Sequence, residues 1–574
     1  MSESLVNWDY WLNTWPQAPV ACTRANAADG YPKPLTPISQ DLILTYEEAA
    51  VRRFYFSGLG VLTEARVPEP FMNAFYGLVY LNADHMGTLG EVTPGSSRQA
   101  MYQQFFGLDA DPGYVAPKLG WRHQLTQGLT GLKVLPKMLK LAGDTAANIE
   151  RQSARVLAAR PRGDLATLTE ADLDAWLRRL DDIQVDCWYT LMTGAGLASA
   201  SFEVVRKLLA AQAGDGNGDL TNRLHVGLGG NESAESGKAV RQLAAVVRRE
   251  GVAEALDKPE PEAALRAASP AAAAELDSVL ARYGHRGPAE LELANPSFRQ
   301  DPGQLLDIVR AELGREAREE ESSTVRQDAE ADLARRLGPV KLRVVAPLLR
   351  RSQNQMALRE NGKIPAVRLF DEIRRLLHAA GPLLAGRGVL ASPERVFYLR
   401  HTELHAALAG GAGPGTEEIE RRHQAHQDCL ALDLPELVEV GPGWMRPLDD
   451  GFIRERGLLP PEKVEAGTTR LHGIAAAPGT LTGTARVLAD PYGDFDAGDV
   501  LFARTVDPGW APILACAGAV VLDIGGVLSH GAVVARELGI PCVVNVKVGT
   551  EMAVSGTTVT VDGSAGEVNL GPDR

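Results

Sequence analysis

Apolar residues recur at three- and four-residue spacing through Leu125 to Leu141, Leu168 to Met192, Ala239 to Leu256 and Ala271 to Tyr283, with mostly polar residues between them. That pattern predicts helices that each bury one stripe, so residues 121–446 read as mostly helical. Pro136 should kink or interrupt the first helix. Ser269-Pro270 supplies a cap and a first helical residue for the last, which reads as helix despite its alanine content. Asp307 to Leu337 differs, with Arg and Glu at helical spacing around Glu319-Glu-Glu-Ser-Ser. It predicts a solvated arm whose ion pairs are worth roughly 0.2–0.5 kcal/mol each. Upstream, residues 1–120 are rich in Trp, Tyr, Phe and Pro and read as irregular or mixed. There Pro32 to Asp41 predicts an extended, wrapping loop, and Tyr76-Gly-Leu-Val-Tyr-Leu-Asn82 a short strand.

The pattern changes near the far end. Ala519 to Leu522 is a continuous apolar, β-branched run, the mark of a strand buried on both faces. Gly525-Gly526 breaks it, Ser529 stands at a helix N-cap position, and Gly539 followed by Pro541 predicts the helix stop. Cys542-Val-Val544 then reads as a second buried strand. His530 falls in the first helical turn, where free backbone N–H groups and the positive end of the helix dipole favour an anion. An imidazole, half neutral near pH 6.5, can act there as a nucleophile. Read alone, Ser529-His530 is equally a capping pair without chemistry.

Composition narrows the class. The chain has 574 residues, too many for one core. With 45% hydrophobic and 23% charged residues, it has a soluble globular composition. A formal net charge of −14 argues against broad nucleic-acid or anionic-membrane binding. The first residues lack a basic region and an apolar core, and no run reaches the length of a membrane span. Cys22, Cys187, Cys429, Cys516 and Cys542 are scattered without a Cys-x-x-Cys pair, giving neither a disulfide framework nor a zinc site. These features fit a cytoplasmic location.

Two motifs fail on inspection. Gly227-Leu-Gly-Gly-Asn-Glu-Ser-Ala-Glu-Ser-Gly-Lys238 has Glu232 where a phosphate loop needs glycine, and Ala239 where it needs Ser or Thr, so it reads as a turn opening a helix. His401 and His405 could share a helix face, as could His423 and His426. Glu403, however, points elsewhere and the order is not His-Glu-x-x-His, so no metal site is expected. A third stretch, Met356 to Asp371, would place Arg359, Lys363 and Arg368 near one another on one helix, with Glu360 and Asp371 close by. A salt-bridged surface helix gives the same pattern.

The segment Gly-Gly-x-x-Ser529-His530-Gly-Ala-x-x-Ala-Arg536-Glu-x-Gly-Ile-Pro541 resembles the phosphohistidine signature of the phosphoenolpyruvate-utilising mobile-domain family. The resemblance extends through Gly473 to Gly479, Gly483-x-Ala-Arg-Val487, Gly498 to Leu501, Asp507-Pro-Gly-Trp-Ala-Pro512, Val561-Asp-Gly563 and Gly566-Glu567. It thus covers about the last hundred residues. Shorter stretches resemble the acceptor domain of rifampin phosphotransferases: Thr36-Pro37 with Gln40, Tyr76 to Asn82, Tyr283-Gly-His285-Arg286-Gly-Pro-Ala-Glu290, and Arg359-Glu360-x-x-Lys363.

Together these imply a multidomain chain with a mainly α-helical acceptor-binding domain (1–446), a linker (447–470) and a C-terminal α/β swivelling phosphohistidine domain (471–574). A coil of the linker's length spans roughly 25 Å and reaches roughly 70 Å when extended. The resemblance implies that His530 carries a phosphoryl group, supported by Gly525, Gly526, Ser529, Gly531 and Arg536. Arg359 and Lys363 would hold its oxygens, Glu360 would act as base, and Gln40, His285, Arg286 and Arg368 would face the substrate. No stretch resembles the ATP-grasp domain or the phosphoenolpyruvate barrel that charges such a histidine. The expectation is therefore a split enzyme, similar to phenylphosphate synthase, charged by a separate ATP-grasp protein that binds ATP and Mg²⁺ (or Mn²⁺). Its acceptor would be a small, aromatic or alcoholic hydroxyl compound. The rivals are an antibiotic phosphotransferase component, a phosphocarrier or regulatory protein, and a non-catalytic scaffold.

Overall fold

The computed structural model describes residues 14–24, 27–92, 97–99, 101–102, 108, 111, 121–216, 218–230, 232–313, 322–459, 468–491, 493, 495–527 and 529–571. The chain divides into two compact units. One comprises Met1–Thr193, Leu291–Ala294 and Gly362–Glu462; the other comprises Gly194–Glu290, Asn295–Asn361 and Lys463–Arg574. These boundaries differ from those read off the sequence, because part of the helical region clusters with the C-terminal sheet.

The first unit joins a five-stranded antiparallel sheet to long helices. The sheet order is Met72–Phe75, Leu78–Asn82, Val20–Thr23, Leu437–Gly441, Trp444–Pro447. The expected strand starts at Leu78, because Tyr76 and Gly77 form the hairpin turn with φ of 54° and 75°. Positive φ at both central residues gives a turn whose twist matches its strands. The expected wrapping loop is only partly extended: Pro37–Leu42 is a helix with Thr36 as N-cap and Pro37 at its first position. Pro136 does not interrupt Trp121–Ala158, a single 38-residue helix. The core packs helices Glu170–Ala213 and Ile364–Gly386 through Leu173, Leu177, Leu180, Trp188, Leu369, Phe370 and Leu377. Trp188 meets Phe370 edge to face at 5.5 Å, which adds to area burial.

The second unit contains a helical part and a mixed eight-stranded sheet. Its order is Arg470–His472, Glu567–Asn569, Thr558–Asp562, Thr480–Val487, Val500–Ala503, Ala519–Leu522, Cys542–Val544, Ile474–Ala477. The four strands from Thr480–Val487 to Cys542–Val544 run parallel, flanked by antiparallel pairs. Alternate residues feed two cores, Leu501, Val520 and Leu522 on one face and Val500, Phe502 and Val521 on the other. Burial on both faces explains why these strands are continuous apolar runs without alternation.

Two further expectations change. The Asp307–Leu337 arm is not one solvated helix. Pro302–Leu313 buries Leu305, Leu306, Ile308 and Val309, and a second stretch buries Ala329 and Leu333, while Glu319 lies outside the described residues. That second stretch, Ser322–Asn361, is two helices meeting at Gly338 (φ 68°, ψ 171°), with Pro339 opening the second. Within 447–470, Asp450–Glu455 is a short helix capped by Asp449, with Ile453 and Leu458 buried, so the start of the expected linker is folded.

Candidate active site

His530 opens the helix His530–Leu538, directly after the buried strand and the glycine turn. Ser529 is its N-cap by backbone angle (φ −64°, ψ 159°), but its side chain makes no capping bond. Gly539 ends the helix in the left-handed conformation, φ 67°, as its glycine predicted. Gly525 has φ 141°, and a Cβ there would come within 3.0 Å of Ser529 Oγ. Gly531 is required by packing, since a Cβ would stand 2.6 Å from both Leu522 Cδ1 and Val506 Cγ2. The helix can lie close against its strand only because this residue has no side chain. A Cβ at Gly526 would meet nothing within 4 Å.

Facing this helix is the end of Ser322–Asn361. Met356 and Glu360 are one turn apart, as are His530 and Val533, so each pair shares a helix face. Met356 and Val533 belong to one apolar cluster with Ala198 and Phe202. One turn on, Glu360 Oε2 lies 2.8 Å from His530 Nδ1, with both side chains 4% exposed. A carboxylate at that distance makes Nδ1 the N–H donor and leaves Nε2 as the lone-pair nitrogen. Arg359 Nη1 donates to the other oxygen, Glu360 Oε1.

Other polar groups frame this pair. Asn361 Nδ2 donates to Gly230 O at 2.6 Å, and its Oδ1 accepts from Glu232 N at 3.0 Å, fastening the helix end to the glycine turn. That turn opens the helix Glu232–Glu250, as expected. His285 Nε2 is 3.2 Å from Glu232 Oε1, and Arg286 Nε donates to Glu290 Oε2 at 2.7 Å. Burial works against the Arg286 charge, but Glu290, Glu232 and Glu360 outweigh it and raise its pKa. Asp507 Oδ2 accepts from Ala289 N at 3.0 Å, and Gly509 leaves no room for a Cβ beside Pro288. The Asp507-Pro-Gly loop is thereby held against the segment carrying His285 and Arg286.

Arg536 has a different place from the anion-supporting one expected. Its guanidinium donates to Ala476 O at 3.1 Å, Val527 O at 2.5 Å and Asn222 Oδ1 at 3.4 Å. It ties the helix to neighbouring loops, and burial, with Arg359 nearby, pushes its pKa down to about 10. The single-helix grouping around Glu360 also changes. The helix stops at Asn361, and Lys363 (φ −83°, ψ −17°) is the N-cap of Ile364–Gly386, which contains Arg368. Arg359 and Glu360 belong to one compact unit; Lys363, Arg368 and the buried Gln40 belong to the other. Sequence reasoning did not single out Asn361, and it read Glu232 only as a reason to reject a phosphate loop.

Two stretches of the chain match known domain families. Residues 495–566, which contain His530, match the PEP-utilising enzyme mobile domain. Residues 190–360, ending on Glu360, match the rifampicin phosphotransferase fourth domain. Two separate parts of the chain thus resemble domains of PEP-utilising and rifampicin phosphotransferase enzymes. The chain is 27% identical over 538 residues to the prodigiosin synthesizing transferase PigC of Serratia marcescens, covering 87% of this chain and 57% of that protein. A rifampicin phosphotransferase of Streptomyces sviceus is 28% identical over 317 residues, 51% of this chain and 34% of the relative. An uncharacterised Mycobacterium tuberculosis protein is 31% identical over 347 residues, 59% of this chain and 36% of the relative. The chain thus spans between about a third and just over half of these relatives' lengths. Among the described residues, no helix is long and apolar enough to cross a membrane.

Proposed function

We propose that this chain is the acceptor-binding and phosphohistidine component of an ATP-dependent, dikinase-like phosphotransferase. His530 carries the phosphoryl group, and an ATP-grasp partner using ATP and Mg²⁺ (or Mn²⁺) charges it in trans. The acceptor is a hydroxyl of a small aromatic or alcoholic molecule. The observation that carries this reading is Glu360 on His530 Nδ1 at 2.8 Å. A carboxylate there keeps the proton on Nδ1 and directs Nε2 toward phosphorus. In the transfer the Nε2–P bond breaks and its electron pair returns to Nε2. A P–O bond forms to the acceptor, and the hydroxyl proton passes to the Glu360–His530 pair. Arg359, already on Glu360, supplies positive charge beside the moving group, which stabilises its oxygens.

A second reading, an antibiotic phosphotransferase component, is favoured by the match of residues 190–360 to the rifampicin phosphotransferase fourth domain. A phosphocarrier without a small-molecule acceptor is disfavoured, because a carrier needs no base for an acceptor hydroxyl, the role Glu360 takes here beside Arg359.

The test is labelling with β-labelled ATP and the ATP-grasp partner. An acid-labile, base-stable phosphoprotein is expected, and none with His530→Ala; retention of label in that variant would refute the carrier role. Glu360→Gln, whose amide oxygen can still accept from Nδ1 but is no base, should charge normally and discharge about 10²- to 10⁴-fold more slowly. A normal discharge rate would remove the base role. Chasing the label with phenols, alcohols and macrocyclic antibiotics separates the acceptor readings.

A further inference from the structure

Away from His530, a second group of ligating side chains converges in the other compact unit. His401 and His405 lie one turn apart on helix His401–Leu408, and Asp174 and Asp181 come from helix Glu170–Ala213. The two Nε2 atoms are 3.1 Å apart. Asp181 oxygens lie 3.1 Å from His401 Nε2 and 3.0 Å from His405 Nε2. On the far side of the ring, Asp174 Oδ1 is 2.5 Å from His405 Nδ1. Gln184 Nε2 donates to Asp181 at 2.8 Å, the Tyr46 hydroxyl also bonds it, and Arg178 Nε donates to Asp174 at 2.8 Å.

We propose that Asp181, His401 and His405 form a binding site for a divalent transition metal of the zinc class, with a coordination position left for water or another ligand. Three donors about 3.1 Å apart fit a metal about 2.0–2.2 Å from each, roughly 1 Å out of their plane, with ligand angles near 100°. Asp174 on Nδ1 holds the proton there and presents the Nε2 lone pair inward, as carboxylates behind metal-bound histidines do. The opposing explanation is an ion-pair network with protonated imidazoles. It points two N–H groups at one another across 3.1 Å and asks Asp181 to accept from both, whereas a cation satisfies both lone pairs and the carboxylate at once. With neutral rings and ionised Asp181, a divalent ion leaves one net positive charge, which faces Asp174, a carboxylate it shares with the exposed Arg178. The sequence showed only the histidine pair; the carboxylate that completes the set lies 220 residues upstream of His401.

The experiment uses the full chain, stripped with chelator and titrated with Zn²⁺ by calorimetry, with bound metal counted by elemental analysis. One tight equivalent is expected, absent from His401→Ala, His405→Ala and Asp181→Asn when these retain the wild-type circular dichroism. Asp174→Asn should keep the equivalent with about 10- to 100-fold weaker affinity. Should the variants not fold, diethylpyrocarbonate labelling of the wild type read by mass spectrometry decides the question: Zn²⁺ should protect His401 and His405. No saturable equivalent, an equivalent retained in all three folded variants, or no protection of these two histidines overturns the site.

Discussion

At the scale of single residues, burial sets the chemistry of His530 and its neighbours. Glu360 and His530 are both 4% exposed, so each would leave a buried polar group behind if the other were removed. Such a loss costs about 1–3 kcal/mol, more if charged. His225, in the same unit, is wholly buried with Nδ1 2.8 Å from Thr221 O and Nε2 3.0 Å from Ser352 Oγ. Burial lowers its pKa to about 4, against an ordinary value of 6.5. Because its folded pKa is depressed, its contribution to stability is complete above pH 6.5 and is lost as pH falls toward 4. The full shift corresponds to about 3 kcal/mol. Urea midpoints measured at pH 7.5 and 5 should therefore fall further for the wild type than for His225→Gln; an equal fall would show that His225 is not held neutral. Glu47, in the other unit, is raised to about 7 by burial. Its contribution is present below pH 4.5 and lost as pH rises through 7, the opposite slope, and it cancels in the comparison of the two proteins.

At the scale of elements, local rules account for most boundaries. Ser269 caps Pro270–Tyr283 through its side chain, Gly539 stops the His530 helix, and Pro37 opens Pro37–Leu42, each where its residue type allows little else. Gly531 is different, because its requirement comes from the neighbouring strand. Gly531→Ala would press a methyl group against Leu522 and Val506. It should cost about 1–3 kcal/mol by overpacking, despite alanine's better helix propensity. Thermal unfolding should show a lower Tm; an unchanged or higher Tm would mean that the helix moves off its strand freely. Where sequence reasoning erred, packing prevailed. Pro136 remains within a continuous helix, and the expected solvated arm buries its leucines. The run from Met356 to Asp371 breaks at Gly362-Lys363 although its residue pattern supports one helix.

At the scale of the molecule, the sheet and the helical part of one compact unit share the Glu360–His530 site. Asp507 is the polar tie between the sheet part and the Tyr283–Glu290 segment, accepting from Ala289 N and, at 2.7 Å, from Gly509 N. Asp507→Ala should leave charging of His530 intact while slowing discharge to the acceptor, because the loop loses its hold on that segment. A single-turnover chase measures this; discharge at the wild-type rate would show that the contact does not position His530.

Much of this protein was determined by residue order alone. The helical character of 121–446, the two-face burial of the C-terminal strands and the place of His530 at the start of its helix all follow from nearest-neighbour propensities and spacing, which act over one or two turns. Tertiary structure decided which groups meet. Glu360 reaches His530 across 170 residues and Asp181 reaches His401 across 220, pairings to which no local preference contributes. It also set the Arg536 guanidinium against the carbonyl oxygens of Ala476 and Val527, and ended one helix at Asn361 so that Lys363 caps the next. Those choices come from burying apolar faces and satisfying the polar groups buried with them, and both depend on the folded whole.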